Sequence, residues 1–405
     1  MSEELKSIEE VREMLECTQQ GNVRQTAGNY RTVLLHDPHL GGAFRLNMFT
    51  DKIDITRDLG WYRESENLTD VDLKFLVLYF EKNYGLANEK RIDDAIKVVA
   101  NENRYHPVQD YLNALQWDKV ERIRYALHYF LGAEISDYTY EVLKLFMLGT
   151  IARVFRPGIK FEVMLCLVGG QGAGKSTFFR FLAMKDDWFT DDLKKMDDEN
   201  VYRKLQGHLI VEFPEMVAIL NAKNVEDTKS FMSRQKDTYK TPYDKHPKDH
   251  KRQCVFAGSS NSLDFLPMDR SGNRRFLPIQ CNVNEAEVHI LDDEKVSREY
   301  IAQMWAEAME IYRSGNYMLK LPKKTQEELC EYQKRFMQED TKKELILDYL
   351  EHCKGNMVCS RLLYAEALGN DGSPAQWEIR EINDIMNNCS GWIAFTNPRY
   401  FPSPY

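Results

Sequence analysis

The chain has 405 residues, enough for two or three domains that each bury a core of their own. Hydrophobic residues make up 43% and charged residues 29%, ordinary globular values that exclude a collagenous, mucin-like or wholly disordered chain. Lysine and arginine number 54 against 63 acidic residues, a net charge of -9 that argues against coating duplex DNA by bulk charge, so any nucleic-acid contact must be local.

The opening, MSEELKSIEEVREML, is acidic where a secretory or transit peptide is basic, and no apolar run approaches the roughly 18 residues that span a bilayer. Neither secretion nor a membrane partner is expected. Eight cysteines occur without a CxxC or mixed Cys/His ligand spacing, which fits reduced thiols in a cytoplasm.

Residues 1–64 read as a mixed segment, with a polar amphipathic start and then short strands and turns around Asp37-Pro38 and Gly41-Gly42. In TDVDLKFLVLYFEKNYG, Thr69 with Asp72 makes a capping-box-like start and Gly85 a stop, which predicts a helix. Helical periods continue through KRIDDAIKVVANENRY, PVQDYLNALQW and DYTYEVLKLFMLGTIARVF, with Pro107 suited to a first turn. Residues 65–156 are therefore predicted as a helical domain, ending at Arg156-Pro157-Gly158.

The texture then changes to short apolar runs: VMLCLVGG, HLIVEF, QCVFAGSSN and RRFLPIQC. Runs without strict alternation are typical of strands covered on both faces, so a three-layer α/β core is predicted over 157–285. Residues 286–339 read as a helical extension of that core. Residues 340–405 have the helix, helix, short-strand texture of a small winged-helix-like domain, closing on GWIAFTNPRYF.

The strongest local signal is Gly169-Gly170-Gln171-Gly172-Ala173-Gly174-Lys175-Ser176, a complete GxxxxGK[ST] followed by Thr177. It follows a strand-like run and opens a helix-like one, the context such a loop requires. Glycines let backbone N–H groups face phosphate oxygens at a helix start. Lys175 is then placed for the β- and γ-phosphates of ATP, and Ser176 for magnesium. The next apolar run, HLIVEFPE, puts Glu212 inside a strand and Glu215 just past its end. Either carboxylate can help hold magnesium or orient the attacking water; Glu215 is the candidate general base and Glu212 the accessory acid, with the roles open to exchange. Asn261 ends QCVFAGSSN, where its amide can meet the γ-phosphate or position water. DRSGNRRF offers Arg270, Arg274 and Arg275 on a glycine-containing loop, the placement an arginine finger needs.

Charge is unevenly spread around these motifs. Residues 186–199 carry seven acids and two lysines, whereas Lys223 to Arg252 carry nine lysines and arginines against five acids. Within the basic stretch, DTYKTPYDKHPKDHKRQ reads as a projecting hairpin whose Lys240, Lys245, His246 and Lys248 are candidates for contact with single-stranded DNA.

Phosphate loop, strand-end glutamates, basic hairpin, strand-end asparagine and arginine loop, in that order, resemble the superfamily 3 helicases of the AAA+ class. HLIVEFPE, RQKDTYKTPYDKHPKDHKRQCVFAGSSN and DRSGNRRFLPI look more closely like the virulence-associated protein E family of phages and pathogenicity islands. VVANENRYHPVQDYLNALQWDKVERI extends that likeness upstream, so that it covers the chain from about residue 30. The resemblance implies an AAA+ type P-loop core preceded by a helical collar and assembled as a ring, usually a hexamer, that hydrolyses ATP between subunits and drives single-stranded or forked DNA through its centre. It implies that Arg275, with Arg274 second, acts on the neighbouring subunit, and that Lys245-His246 forms the hairpin tip in the channel. A replication initiator or primase is an implied partner and the bacterial host cytoplasm the implied location. Many relatives carry a primase domain at the front; residues 1–60 are too few for one, so priming is not expected. The alternative is a nucleotide-switched DNA-binding, assembly or loader protein that hydrolyses ATP without unwinding. A nucleoside kinase is a more distant third, since it gives no use to the arginine loop and basic hairpin together.

Overall fold

The computed structural model describes residues 4–193, 201–216, 220, 225–240, 247–266, 273–337, 341–353, 355–395 and 401. The chain forms two compact units, Met1–Phe336 and Met337–Tyr405.

In the first unit, Ser7 caps α1 (Ile8–Glu13) and Thr26 caps α2 (Ala27–His36). The short strands expected here are β1 (Phe44–Asn47) and β2 (Lys52–Ile55), paired antiparallel with Phe44 opposite Ile55. The turn-rich text hides α2, although its buried Tyr30, Val33 and Leu34 have helical spacing. In α3 (Asp70–Tyr84) the expected capping box is formed: Thr69 Oγ1 accepts the Asp72 N–H, and the Asp72 carboxylate accepts the Thr69 N–H. The helix stops at Gly85, in the left-handed conformation. With α4 (Glu89–Glu102) these elements close a core containing Val11, Tyr30, Phe44, Phe80 and Ile96.

The next helices belong to a different core. Pro107 begins α5 (Pro107–Ala114), followed by α6 (Ala126–Leu131) and α7 (Asp137–Phe155). Leu112, Phe130 and Phe146 from these helices pack with Phe178 and Trp305, beside the main sheet. Residues 65–156, expected as one helical domain, are thus divided between two cores.

The remaining elements of this unit are β3 (Met164–Val168), α8 (Lys175–Leu182), β4 (Phe189–Thr190), α9 (Val201–Leu205), β5 (Ile210–Phe213), α10 (Val225–Ser233), β6 (Lys236–Tyr239), β7 (Lys248–Lys251), β8 (Val255–Ser260), β9 (Phe276–Gln280), α11 (Glu294–Ser314) and α12 (Lys323–Lys334). Five strands form a parallel sheet in the order β4-β5-β8-β3-β9. Every residue of β3, β5 and β8 is buried, which is why these runs lack polar alternation. Leu165 and Leu167 of β3, opposite Leu277 and Ile279 of β9, pack into the core shared with α7, α8 and α11. On the other face Phe256 lies 5.5 Å, ring to ring, from Phe231 of α10 and 5.7 Å from Phe213. The sheet is therefore covered on both sides.

Edge strand β9 carries Pro278, tolerated because an edge position needs no outward N–H. Its outward groups are met by side chains: Tyr138 Oη donates to Pro278 O, Gln333 Nε2 to Phe276 O, and the Gln280 N–H donates to Tyr332 Oη.

The second unit holds α13 (Thr341–His352), a single turn at Ser360–Leu362 and α14 (Gln376–Asn387) around Ile346, Leu363, Ile382 and Ile385. The short strand expected in GWIAFTNPRYF has no counterpart among its described residues. No helix among the described residues of the chain is long and apolar enough to cross a membrane.

Because each unit has its own buried core, a chain ending at Phe336 is expected to keep the helical content of the first unit and to melt cooperatively, as followed by circular dichroism. A truncated chain already unfolded at room temperature would show that residues 337–405 complete the first unit.

Candidate phosphate-binding site

From β3 the chain builds β4, β5 and β8 on one side and, later, β9 on the other, so β3 is the strand at which the topology switches. The carboxyl end of such a strand is where a parallel sheet opens a crevice for ligand. The Gly169–Ser176 loop leaves β3 at this end and α8 begins at Lys175. Gly172 and Gly174 take φ angles of 80° and 76°, left-handed values that residues with a Cβ rarely adopt. A Cβ at Gly170 or Gly172 would meet nothing within 4 Å, so the loop is open there. Gln171, Gly172, Ala173, Gly174, Lys175, Ser176 and Thr177 line a cleft of about 300 Å³ with Pro214, Glu215, Ser259, Ser260 and Asn261.

Lys175 Nζ donates to the carbonyls of Gly169 (2.7 Å) and Gly170 (2.8 Å) and to Asn261 Oδ1 (3.0 Å). All three ammonium donors are used, and burial pulls its pKa below the ordinary lysine value. The strand-end asparagine and the loop lysine, 86 residues apart in sequence, are therefore partners.

The two glutamates have opposite surroundings. Glu212 is fully buried in β5, and its Oε1 accepts hydrogen bonds from Ser176 Oγ (2.8 Å) and Ser259 Oγ (2.6 Å). Burial pushes its carboxyl above the ordinary value of 4.5, against the pull of the two hydroxyls. Its Oε2 is buried and has no hydrogen-bond partner among the described residues. Glu215 is exposed at the lip of the cleft, with a left-handed φ of 54° that a non-glycine residue adopts only when its surroundings impose it. The neighbouring Met216 lies over Gly258 of β8, where an added Cβ would come within 2.2 Å of its sulfur.

Oxygen donors Ser176 Oγ and Glu212, one carboxylate oxygen unsatisfied, suit a hard cation such as magnesium held jointly with phosphate oxygens. Among the described residues no three His, Cys, Asp or Glu side chains cluster as a metal site of their own.

Other sequence candidates lie elsewhere. Arg275 immediately precedes β9, and its carbonyl accepts the N–H of Met164, the first residue of β3. It thus sits at the amino end of the sheet, about 15–20 Å of strand from the loop at the carboxyl end. Arg274 is beside it, and Arg270 lies outside the described residues. The basic hairpin has its expected stem, β6 and β7 paired antiparallel, with Tyr239 opposite Lys248. Buried Arg252 grips the stem through two bonds to Asp237, at 2.6 and 2.8 Å. Lys240 is exposed just past β6, whereas Lys248 pairs with Asp51 at 2.8 Å. Lys245 and His246 lie outside the described residues.

Ser259 and Gly258 were not among the sequence candidates. The SSN run was the available signal, but a strand-end serine gains its meaning only from the strand beside it.

A parallel sheet with a GxxxxGKS loop at its switch strand defines a phosphate-loop α/β protein. The chain belongs to the virulence-associated protein E-like family, whose domain matches residues 112–338, more than half of its length. The match starts within α5, well after the residue 30 suggested by the sequence resemblance. Among solved structures, the apo structure of the NrS-1 C-terminal region is similar at 15% identity, with a TM-score of 0.46, covering 84% of this chain and 89% of that one. Its A form apo structure gives 16% identity and the same TM-score, covering 84% and 90%. No curated protein matches.

The raised Glu212 pKa makes a stability prediction with a definite sign. An acid whose folded pKa is raised stabilises the fold below its unfolded pKa, and that contribution is lost as pH rises through the folded value. Glu212→Gln, which cannot ionise, is therefore expected to gain stability relative to the wild type as pH rises above 4.5 in metal-free buffer. Urea unfolding from mildly acidic to mildly alkaline pH measures this; a constant difference would mean that the ionised carboxylate is fully compensated.

Proposed function

We propose that the chain binds ATP with magnesium and hydrolyses it as a ring-forming DNA helicase or translocase in the replication of a phage or mobile element. The observation that carries this reading is the bridge from Ser176 to Glu212 to Ser259 beside the Lys175–Asn261 contact, with Glu215 at the cleft lip. Two acids in opposite environments suit two tasks. Buried Glu212 stays on the metal side, orienting Ser176. Exposed Glu215 accepts the proton of the attacking water. Lys175 exchanges loop carbonyls for phosphate oxygens, and Asn261 orients either the γ-phosphate or the water. Bound magnesium supplies charge neutralisation on the phosphate oxygens.

Strand β8, inserted between the loop strand and the Glu212 strand, supports an AAA+ type core of the superfamily 3 kind. The arginine pair stands at the opposite end of the sheet from its own loop, which supports a reading in which its guanidinium groups meet phosphates held by a second copy, in a ring that is hexameric by resemblance. The hairpin leads through β7 directly into β8 and Asn261, so nucleotide state can reach a DNA contact made by Lys240, Lys245 and His246, with Lys248 sharing its charge with Asp51. A replication initiator or primase remains the proposed partner, in the cytoplasm of a bacterial host. The second reading, a nucleotide-switched assembly or loader protein, is favoured by the net charge of -9 and by the engagement of Lys248. Strand displacement on forked DNA separates the two: ATP-dependent unwinding supports the motor, and ATP hydrolysis without unwinding supports the switch.

Lys175→Ala is expected to lower turnover by about 10²-fold or more. Glu215→Gln is expected to bind ATP while hydrolysis falls by about 10²- to 10⁴-fold. If Glu212→Gln shows that pattern and Glu215→Gln does not, the two roles are exchanged. Mixing Lys175→Ala with the double variant Arg274→Ala/Arg275→Ala is expected to restore some activity, because an intact loop meets an intact arginine pair at some interfaces. Co-assembly without recovery at any ratio would rule out action between copies.

A further inference from the structure

Glu162 lies in the short segment between α7 and β3, and no sequence motif marks it. Its Oε1 stands 3.6 Å from Arg274 Nη2 and its Oε2 3.6 Å from Arg275 Nη2. Lys160 Nζ approaches Oε2 at 3.7 Å, and Ser233 Oγ lies 3.1 Å from the same oxygen. Burial opposes ionisation of this carboxyl, but Ser233 and the three cations outweigh it and hold its pKa below the ordinary value.

One carboxylate cannot neutralise three cations, and exposure divides them. The Arg275 side chain is 21% exposed, and its Nε is buried without a hydrogen-bond partner among the described residues. The Arg274 side chain is 74% exposed. One guanidinium is held against the sheet edge and the other projects. Beside them opens a cavity of about 540 Å³ whose lining includes Lys160, Arg274, Arg275 and Lys320.

A second connection runs through α10, which follows the Glu215 loop and ends at Ser233. The Ser233 hydroxyl has one proton to share between Lys229 O (2.7 Å) and Glu162 Oε2. Three residues further on, the hairpin begins at Lys236, and Arg252 returns from β7 to donate to Phe231 O in the last turn of α10. The end of α10 therefore touches both the arginine carboxylate and the hairpin anchor.

We propose that Glu162 is a positioning residue for the arginine pair: it anchors Arg275, leaves Arg274 as the guanidinium presented to phosphates held by a second copy, and joins both through Ser233 to the helix that follows Glu215. This deepens, and rests on, the ATP-hydrolysing assembly proposed above. Without the carboxylate the two guanidinium groups repel and lose their common reference point, and a misplacement of about 1 Å costs roughly 10²-fold in rate.

The test uses the full-length chain, with steady-state ATP hydrolysis measured over a range of ATP concentrations. Glu162→Gln is expected to lower kcat about 10- to 100-fold with KM changed less than about threefold, and Glu162→Asp to recover part of the loss. Arg274→Ala is expected to lose about 10³-fold in kcat, and adding Glu162→Gln to it to cost little more, since the two act as one unit. Wild-type kcat in folded Glu162→Gln, or losses that multiply in the double variant, would overturn the assignment. An equal loss in Glu162→Gln and Glu162→Asp with a parallel drop in melting temperature would also overturn it, as a purely structural effect. A wild-type chain that binds but does not hydrolyse ATP would instead overturn the proposed function, and this assignment with it.

Discussion

A carboxylate sealed from water needs hydrogen-bond donors, and Glu212 finds them on two different elements. Ser176 comes from the first turn of α8 and Ser259 from the end of β8, so one buried oxygen ties the phosphate loop to two adjacent strands. Much of the surrounding sequence follows from that constraint. β8 must lie beside β5, it must end in small polar residues, and it must stay bare enough at Gly258 for Met216 to cross. The strained backbone at Glu215 is one residue from that crossing, so the packing that admits Met216 also sets the exposed acid at the cleft lip.

The parallel sheet separates two kinds of chemistry. Its carboxyl edge holds the loop, both glutamates and Asn261; its amino edge holds the arginine pair, Glu162 and the root of the hairpin. Parallel strands enforce this polarity because every one enters at the same edge and leaves at the other. Helix α10 starts after Glu215 of the first group and ends among the second, at Ser233. The N-terminal core also touches the hairpin: Asp51 binds Lys248, and Met48 O accepts from Gln253, just before β8.

Features written within one short stretch were legible in the sequence. The glycine pattern of the loop, the Thr69–Asp72 cap, the first-turn Pro107 and the apolar strand runs each depend on neighbours a few residues away. The hairpin stem was legible for the same reason. What escaped depends on strands brought together from distant parts of the chain. Ser259 is an ordinary strand-end serine until β8 is placed beside β5. Glu162 precedes its arginines by more than a hundred residues, and Lys248 is 197 residues from the Asp51 that binds it. The division of the first helices between two cores was hidden likewise, because helical spacing tells which face is apolar but not what covers it.

Strand β9 has a consequence for what another chain can add to this edge of the sheet. An open edge strand is a template on which another chain can add a strand, a route to uncontrolled association. On β9 that route is closed: Pro278 has no N–H to offer, and Tyr138, Tyr332 and Gln333 already occupy the groups beside it. A further strand therefore finds no free row of backbone groups along β9.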